Sequence, residues 1–306
     1  MNNKTKGIIL ITISALSFAL MSTFVKLSGD LPSIEKSFFR NLVSCFVAFY
    51  LVKKDNALLF GHKENRLALI GRSALGTLGI WANYYAIDRL ILSDATILNK
   101  LSPFFVIIFS YLFLKEKLKP IHIICLLAAF SGVLFIVRPS GNLASNFIPA
   151  IIGLCSAAFA GGAYTFVRYL GGKEKGATIV FFFSFFSIVT TFPIMLFQFE
   201  TFSLEQFVFL ILAGVAASCA QFALTAAYKY APARDISIYD YTQVIFTALI
   251  GFVLFGDIPD KISLIGYALI LLASFSIFLY NIIKKKLANK KKATLFCVAF
   301  YLLFLK

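Results

Sequence analysis

Residues 82–116 read ANYYAIDRLILSDATILNKLSPFFVIIFSYLFLKE, and residues 223–257 read ALTAAYKYAPARDISIYDYTQVIFTALIGFVLFGD. The two stretches align without a gap at an offset of 141 residues. Matching pairs are Ala86 with Ala227, Asp94 with Asp235, Phe105 with Phe246 and Glu116 with Asp257. A repeat of this length indicates that the chain consists of two similar halves.

The composition places this repeat in a membrane. Of the 306 residues, 60% are apolar and only 14% are charged. A helix that crosses the hydrocarbon core needs about 20 apolar residues. Apolar runs of this kind recur at residues 7–27, 34–52, 67–87, 93–114, 120–137, 147–170, 177–197, 204–227, 234–255 and 262–283. The sequence therefore predicts an all-α membrane protein with ten transmembrane helices and short loops.

Basic residues predict the orientation of these helices, because Lys and Arg stay preferentially on the cytoplasmic side. With the N-terminus inside, twenty Lys and Arg residues fall on the inner side and five on the outer side. This predicts a multi-pass protein of the cell (plasma) membrane with both termini cytoplasmic. The bias accounts for most of the formal net charge of +15 without nucleic acid as a partner. Lys-rich segments beside a helix end, above all in the tail, favour contact with anionic inner-leaflet lipids.

Each half contains five predicted helices, an odd number, so the second half is inverted in the membrane relative to the first. The predicted domains are five-helix repeats at residues 1–145 and 146–283, followed by a Lys-rich cytoplasmic tail at 284–306. The apolar run at 293–305 is too short to span the core, and we expect it to lie on the inner surface. A partner-binding or targeting role for that run is the alternative.

Ionisable side chains inside a span cost several kcal/mol, so they are functional candidates unless they reach the interface. Arg40, Arg72, Asp88 and Asp94 lie close enough to predicted helix ends that we expect them to extend to headgroups or water.

Two polar trios are harder to bring to the interface, because each begins about seven residues, or about 10 Å, inside its span. Asn99, Lys100 and Ser102 form the first trio, and Asp240, Tyr241 and Gln243 form the second. The trios occupy equivalent positions of the repeat, and we predict that they meet across the pseudo-twofold axis. Lys100 and Asp240 would then line a central cavity. There they would bind opposite charges of a zwitterionic solute, or neutralise each other until substrate or a proton intervenes.

Other polar side chains are candidates for the same cavity. They are Gln221 and Thr225, one helical turn apart, and Trp81, Tyr84 and Tyr85. Interhelical hydrogen bonding for packing is the alternative interpretation. Pro103, one turn beyond Lys100, lacks a backbone donor and is predicted to kink its helix beside the cavity.

These motifs resemble the drug/metabolite transporter superfamily, specifically its ten-helix EamA-type permeases, over residues 7–283. The resemblance rests on Phe38-Phe39-Arg40, on Ser102-Pro103-Phe104-Phe105 and on Leu114-Lys115-Glu116-Lys117-Leu118. The second copy departs from the family pattern, with Val244 at the proline position and Asp257 at the glutamate position. The resemblance implies an exporter or exchanger of metabolites that couples to protons or to a counter-substrate. It implies orienting or gating roles for Arg40, Pro103 and Glu116.

Other function classes fit the sequence less well. The five cysteines show no C-x-x-C spacing, and His62 and His122 are isolated, so we expect no metal site and no cofactor. The sequence contains neither a catalytic motif nor a Walker A loop, which argues against an enzyme and against ATP-driven transport. The prediction is a secondary transporter of a small polar or zwitterionic metabolite, with an amino acid favoured. A flippase for lipids or lipid-linked headgroups, or a membrane sensor, using the same polar faces is the alternative.

Overall fold

α-Helices make up nearly the whole chain in the computed structural model, which describes residues 3–114, 120–137, 147–230 and 237–304. The helices are α1 (Asn3–Leu27), α2 (Ser33–Lys54), α3 (Arg66–Arg89), α4 (Leu92–Asn99), α5 (Ser102–Leu114), α6 (Pro120–Val137), α7 (Phe147–Leu170), α8 (Gly176–Phe197), α9 (Leu204–Tyr230), α10 (Thr242–Phe255) and α11 (Lys261–Phe304). Short 3₁₀ turns at Lys63–Asn65 and Ser237–Tyr241 lead into α3 and α10. Over the described ranges no β-strand forms beyond an isolated bridge between Gly171 and Glu174. The all-α prediction is confirmed.

Hydropathy separates these helices into three kinds. Within the described ranges, six apolar segments are long enough to cross a membrane, and one of them includes both α4 and α5. They are Thr5–Leu27, Leu92–Phe113, Phe147–Val167, Gly176–Phe197, Leu204–Leu224 and Lys261–Tyr280. α6 and α10 are apolar but shorter, whereas α2 and α3 carry more charged and polar side chains. Because α2 and α3 bury several of those side chains, their polarity marks the interior of the protein.

The predicted span at 93–114 is interrupted in the structure. α4 ends at Asn99 and α5 begins at Ser102, so Lys100 and Leu101 form a break where we expected a kinked but continuous helix. Pro103 explains the position of the break, because its nitrogen has no hydrogen to donate to the Asn99 carbonyl. Pro103 itself lies in the first turn of α5, where a missing donor is tolerated.

The equivalent span of the second half is also irregular. Residues 231–236, which include the predicted start of the span at 234, lie outside the described ranges. The next five residues, Ser237–Tyr241, form a 3₁₀ turn before α10 begins. The Thr242 hydroxyl donates to the Tyr239 carbonyl at 2.6 Å and so satisfies a backbone acceptor in this turn. The irregularity therefore forms although Val244 stands at the proline position.

The last helix continues beyond its apolar span. The span predicted at 262–283 agrees with the apolar span Lys261–Tyr280, and α11 continues from there as one helix of 44 residues to Phe304. At 1.5 Å per residue α11 is about 66 Å long, roughly twice the thickness of the hydrocarbon core. The helix continues because no Gly or Pro follows residue 283, and the Lys, Ala and Leu residues there favour helix.

Exchanging the two halves leaves the most extensive helix contacts unchanged. α1 packs on α9 as α3 packs on α7, and α2 packs on α9 as α3 packs on α8. Three further contacts join equivalent helices, namely α2 with α8, α4 with α10 and α6 with α11. Interdigitated halves related by a pseudo-twofold axis produce this pattern. The break after α4 and the turn before α10 consequently face each other.

Candidate functional site

An ion pair joins the two helix interruptions. The Lys100 ammonium donates to Oδ2 of Asp240, and the two side chains are 11% and 25% exposed. Desolvated charges are costly, so each charge compensates the other inside the protein. Oδ1 of Asp240 is buried without a hydrogen-bond partner in the described part of the chain. The pair therefore links the two halves and leaves one carboxylate oxygen able to accept a further bond.

Tyr241 holds the break in place. Its hydroxyl donates to the carbonyl oxygen of Lys100 at 3.1 Å, and the Ser274 hydroxyl donates to the Tyr241 hydroxyl at 2.7 Å. Broken helices leave backbone carbonyls that need a donor from elsewhere. Tyr241, which is buried, thus connects the second half to the backbone of the first directly beside the ion pair.

The other predicted side chains divide into those near the pair and those away from it. Asn99 donates its amide to the Ser156 hydroxyl of α7 at 3.1 Å, while Ser102 and Gln243 are buried in α5 and α10. Trp81 Nε1 and the Tyr84 hydroxyl are buried polar groups that lack a hydrogen-bond partner among the described residues.

Several predicted positions do not join this group. Tyr85 stacks under the guanidinium of the exposed Arg89 at 3.8 Å, at the end of α3. Pro103 is exposed on α5, and Gln221 is half-buried on α9 with polar contacts of its own. Glu116 and the side chain of Thr225 lie outside the described part of the chain.

Two arginines that we expected at the interface are inside the protein. Arg40 is 6% exposed and Arg72 is 7% exposed, so neither reaches headgroups or water past its own helix end. The prediction was wrong because neighbouring helices enclose both side chains. The guanidinium of Arg72 lies 3.6 Å from the ring centre of Phe183 on α8. Nε of Arg40, and Nε and Nη1 of Arg72, are buried with no hydrogen-bond partner among the described residues.

The arginines belong to the same electrostatic environment as Asp240. Arg40 and Arg72 are close enough to interact electrostatically with each other. Both arginines and Asp240 also interact electrostatically with the hydroxyl of Tyr164. Tyr164 lies on α7, and 42% of this residue is exposed. Sequence reasoning missed Tyr164 because a single tyrosine in an apolar span carries no distinct signal. Arg40 had a signal in Ser37 and Ser44, which share its helical face.

Ionic contacts close one end of the molecule. Lys26 pairs with Asp257 at 2.7 Å, and Asp257 also accepts a bond from the Leu92 amide at 3.2 Å. Lys36 pairs with Asp88 at 2.6 Å. Asp94 accepts a hydrogen bond from the Tyr267 hydroxyl. Asp88 and Asp94, which we predicted to be within reach of headgroups or water, are half-buried and also have intramolecular partners.

At the opposite end, one carboxylate joins the halves. Oε1 of Glu174, in the turn between α7 and α8, accepts bonds from the His62 amide and the Asn65 side chain, each at 2.8 Å. The His62 ring nitrogen Nδ1 lies 3.0 Å from the same oxygen. Burial alone would raise the pKa of the Glu174 carboxyl, but these hydrogen bonds outweigh burial and hold the pKa below its ordinary value. The ion pair at the centre is thus flanked by contacts between the halves at both ends.

Comparison with known proteins connects this arrangement to a family. The EamA-like transporter family matches the chain twice, at residues 5–138 and again at residues 147–279. The chain belongs to the EamA-like transporter family. Two matches, one in each half, agree with the repeat that the helix contacts show.

Relatives of this EamA-like transporter include proteins of bacteria and animals. The pseudopaline exporter CntI of Pseudomonas aeruginosa (strain UCBPP-PA14) is 31% identical over 89% of this chain and 95% of its own. Solute carrier family 35 member G1 of Homo sapiens is 28% identical over 88% of this chain and 77% of its own. The riboflavin transporter of Brucella anthropi is 26% identical over 80% of this chain and 87% of its own. A solved crystal structure shares the fold with a TM-score of 0.64 at 12% identity, over 90% of this chain and 97% of that one.

Family membership fixes the general function. This EamA-like transporter is a multi-pass membrane protein of the drug/metabolite transporter superfamily, and it carries small molecules. The family and its relatives are described as transporters, so the chain is a transporter and not an enzyme.

Proposed function

We propose that this protein is a secondary transporter that exports or exchanges a small polar or zwitterionic metabolite, with an amino acid favoured. The observation that carries the proposal is the ion pair between Lys100 and Asp240 at two facing helix interruptions. Interrupted helices beside a pseudo-twofold axis are where secondary transporters place substrate and coupling ions. A pair that spans both halves is also positioned to respond when the halves move.

The pair supplies a mechanism for alternating access. A zwitterionic solute presents its anionic group to Lys100 and its cationic group to Asp240, and so replaces each charge's partner as the pair opens. Without a replacement, separating a buried pair leaves uncompensated charges at a cost of about 3–5 kcal/mol. Empty transporter therefore stays paired, and bound solute lets the halves rock. A proton on Asp240 would release Lys100 in the same way and would couple transport to pH.

Tyr241 and Asn99 take positioning roles in this mechanism. The Tyr241 hydroxyl is occupied by the Lys100 carbonyl and Ser274, and the Asn99 amide by Ser156. These bonds fix the geometry of the break on which Lys100 stands. Trp81 Nε1 and the Tyr84 hydroxyl have no hydrogen-bond partner among the described residues, so both could bond to the solute.

Burial of the polar trios supports a solute carrier over a flippase. A lipid headgroup needs a polar path that opens sideways to the bilayer, whereas Lys100, Ser102 and Gln243 are buried within the protein. The names of the pseudopaline exporter and the riboflavin transporter support a metabolite as cargo. The bias of basic residues supports a plasma-membrane location with both termini cytoplasmic, and contact of the Lys-rich tail with anionic lipids.

Flux in proteoliposomes tests the proposal. Proteoliposomes that contain wild type or the Lys100→Ala/Asp240→Asn variant are loaded with a pooled mixture of labelled metabolites. Flux is measured with and without a pH gradient. Lys63→Ala/Glu64→Gln is the matched control, because it makes the same charge changes at exposed positions. We expect at least one compound to move with wild type and control but not with the site variant. If no solute moves while fluorescent lipids change leaflet, the protein is a flippase and the proposal fails.

A further inference from the structure

We infer that Arg40 and Arg72 bind an anionic oxygen group of the transported solute, so that the substrate class is an anionic metabolite bearing a carboxylate or a phosphate. This rests on the proposed function, because it adds two ligand groups to the same cavity. Neither arginine takes part in any ion pair found in the described part of the chain. Lys100 and Asp240 neutralise each other, which leaves the two guanidinium charges uncompensated.

The donors of both arginines are available. Arg40 makes one marginal hydrogen bond, from Nη1 to the Asn41 side chain at 3.5 Å, and its Nε is buried without a partner in the described chain. A guanidinium has five N–H donors in a planar fork that matches the oxygens of carboxylates and phosphates. Buried charged groups are normally paired, since an unpaired one is costly. The two side chains therefore have the properties of a site that awaits an anion.

Phe183 orients Arg72 for this role. The ring packs against the flat face of the guanidinium, at 3.6 Å from its centre. Stacking of this kind uses the face and leaves the N–H edge free to bind a planar anion. Phe183 thus holds the charge in an apolar setting without occupying its donors.

Arg40 and Arg72 lie on α2 and α3, which pack on each other and both pack on α8. Their like charges act on each other, and an anion between them would relieve that repulsion. Asp240 interacts electrostatically with the same Tyr164 hydroxyl as both arginines. Its Oδ1 accepts no hydrogen bond in the described chain. A solute that carries an anionic group for the arginines and an amino or hydroxyl group for Asp240 fits this arrangement. Net negative charge distinguishes this class from neutral amino acids.

A binding measurement that does not depend on transport tests the assignment. Purified protein in nanodiscs is titrated with glutarate, with inorganic phosphate and with neutral glutaramide, and thermal unfolding is followed. We expect saturable stabilisation by glutarate or by phosphate, and none by glutaramide. Arg40→Gln and Arg72→Gln should each weaken binding, raising the dissociation constant at least tenfold. Arg66→Gln, an exposed arginine six residues earlier on α3, should leave it within twofold of wild type.

The unfolding temperatures of the variants, measured without any added anion, give a second test. Arg72→Gln removes a buried unpaired charge, so its unfolding temperature should equal or exceed that of wild type. A purely structural arginine would instead lower the unfolding temperature when replaced. The assignment is overturned if neither anion binds wild type, if binding survives in both variants, or if both variants unfold well below wild type. Arginine-dependent binding without flux would refute the transporter proposal alone, whereas flux without anion binding would refute this assignment alone.

Discussion

Replacing Lys100 and Asp240, singly and together, tests the ion pair that joins the two halves at their centre. Lys100→Met leaves Asp240 unpaired, Asp240→Asn leaves Lys100 unpaired, and the double variant removes both charges. Losing one partner of a buried pair costs about 3–5 kcal/mol. Because the side chains are 11% and 25% exposed, solvent screening reduces our expectation to about 2–4 kcal/mol of unfolding free energy for each single variant.

The double variant gives the decisive comparison. It contains no unpaired charge, so we expect it to be at least as stable as either single variant, although all three lose transport. Reversible unfolding in nanodiscs yields the four free energies of the cycle, and the coupling energy is their deviation from additivity. The same cycle at the exposed residues Lys63 and Glu64 should be additive within about 0.5 kcal/mol. Additive losses at Lys100 and Asp240 would show that the pair does not form in the folded protein.

Three further changes test other parts of the structure. A Cβ at Gly132 would lie 2.8 Å from the Gly266 carbonyl oxygen, so Gly132→Leu should force α6 and α11 apart and lower the unfolding temperature by several degrees. The Glu174 pKa is depressed in the folded protein, so the stability that Glu174 contributes is present above its ordinary pKa of 4.5 and lost as pH falls below it. The unfolding-temperature difference between wild type and Glu174→Gln should therefore shrink below about pH 4.5. Tyr241→Phe removes the donor to the Lys100 carbonyl and should cost about 1 kcal/mol of unfolding free energy while slowing flux.

Each of these has a matched control. Leu127→Ala changes an exposed residue of the same helix as Gly132, and should leave the unfolding temperature close to that of wild type. Glu64→Gln removes an exposed carboxylate beside Asn65, and it is measured over the same pH range for comparison with Glu174→Gln. Tyr50→Phe removes the hydroxyl of an exposed tyrosine, and equal effects of the Tyr50 and Tyr241 variants would contradict the role given to Tyr241.

The sequence predicted the helices and their duplication because both depend on local composition. Apolar runs of about 20 residues and a gapless repeat are visible without any knowledge of packing. The continuation of α11 beyond residue 283 was not predicted, because a Lys-rich segment can be either a loop or a continued helix. The residues there favour helix, and no Gly or Pro ends it, so the helix continues.

The candidate site was only partly accessible to sequence reasoning. Lys100 and Asp240 were identifiable because they lie deep within spans and at equivalent positions of the repeat. Arg40 and Arg72 were assigned to the interface because depth along a helix does not reveal which side of the helix faces neighbouring helices. Their burial depends on α2 and α3 being enclosed by α7, α8 and α9, which is a property of tertiary packing.

The duplicated halves do not repeat the charges of Arg40, Arg72, Lys100 and Asp240. An offset of 141 or 142 residues places Arg40 opposite Phe181 or Phe182, and Arg72 opposite Ala213 or Gly214. Lys100 falls opposite Tyr241, and Asp240 falls opposite Asn99.

The first half therefore supplies all three cations of the cluster, and the second half supplies its one carboxylate. A symmetric scaffold with charges divided in this way can orient a solute along one direction, with the anionic end toward the first half and the donor end toward the second. In the proposed mechanism the two halves rock against each other, so the same contacts would hold the solute while the opening changes sides.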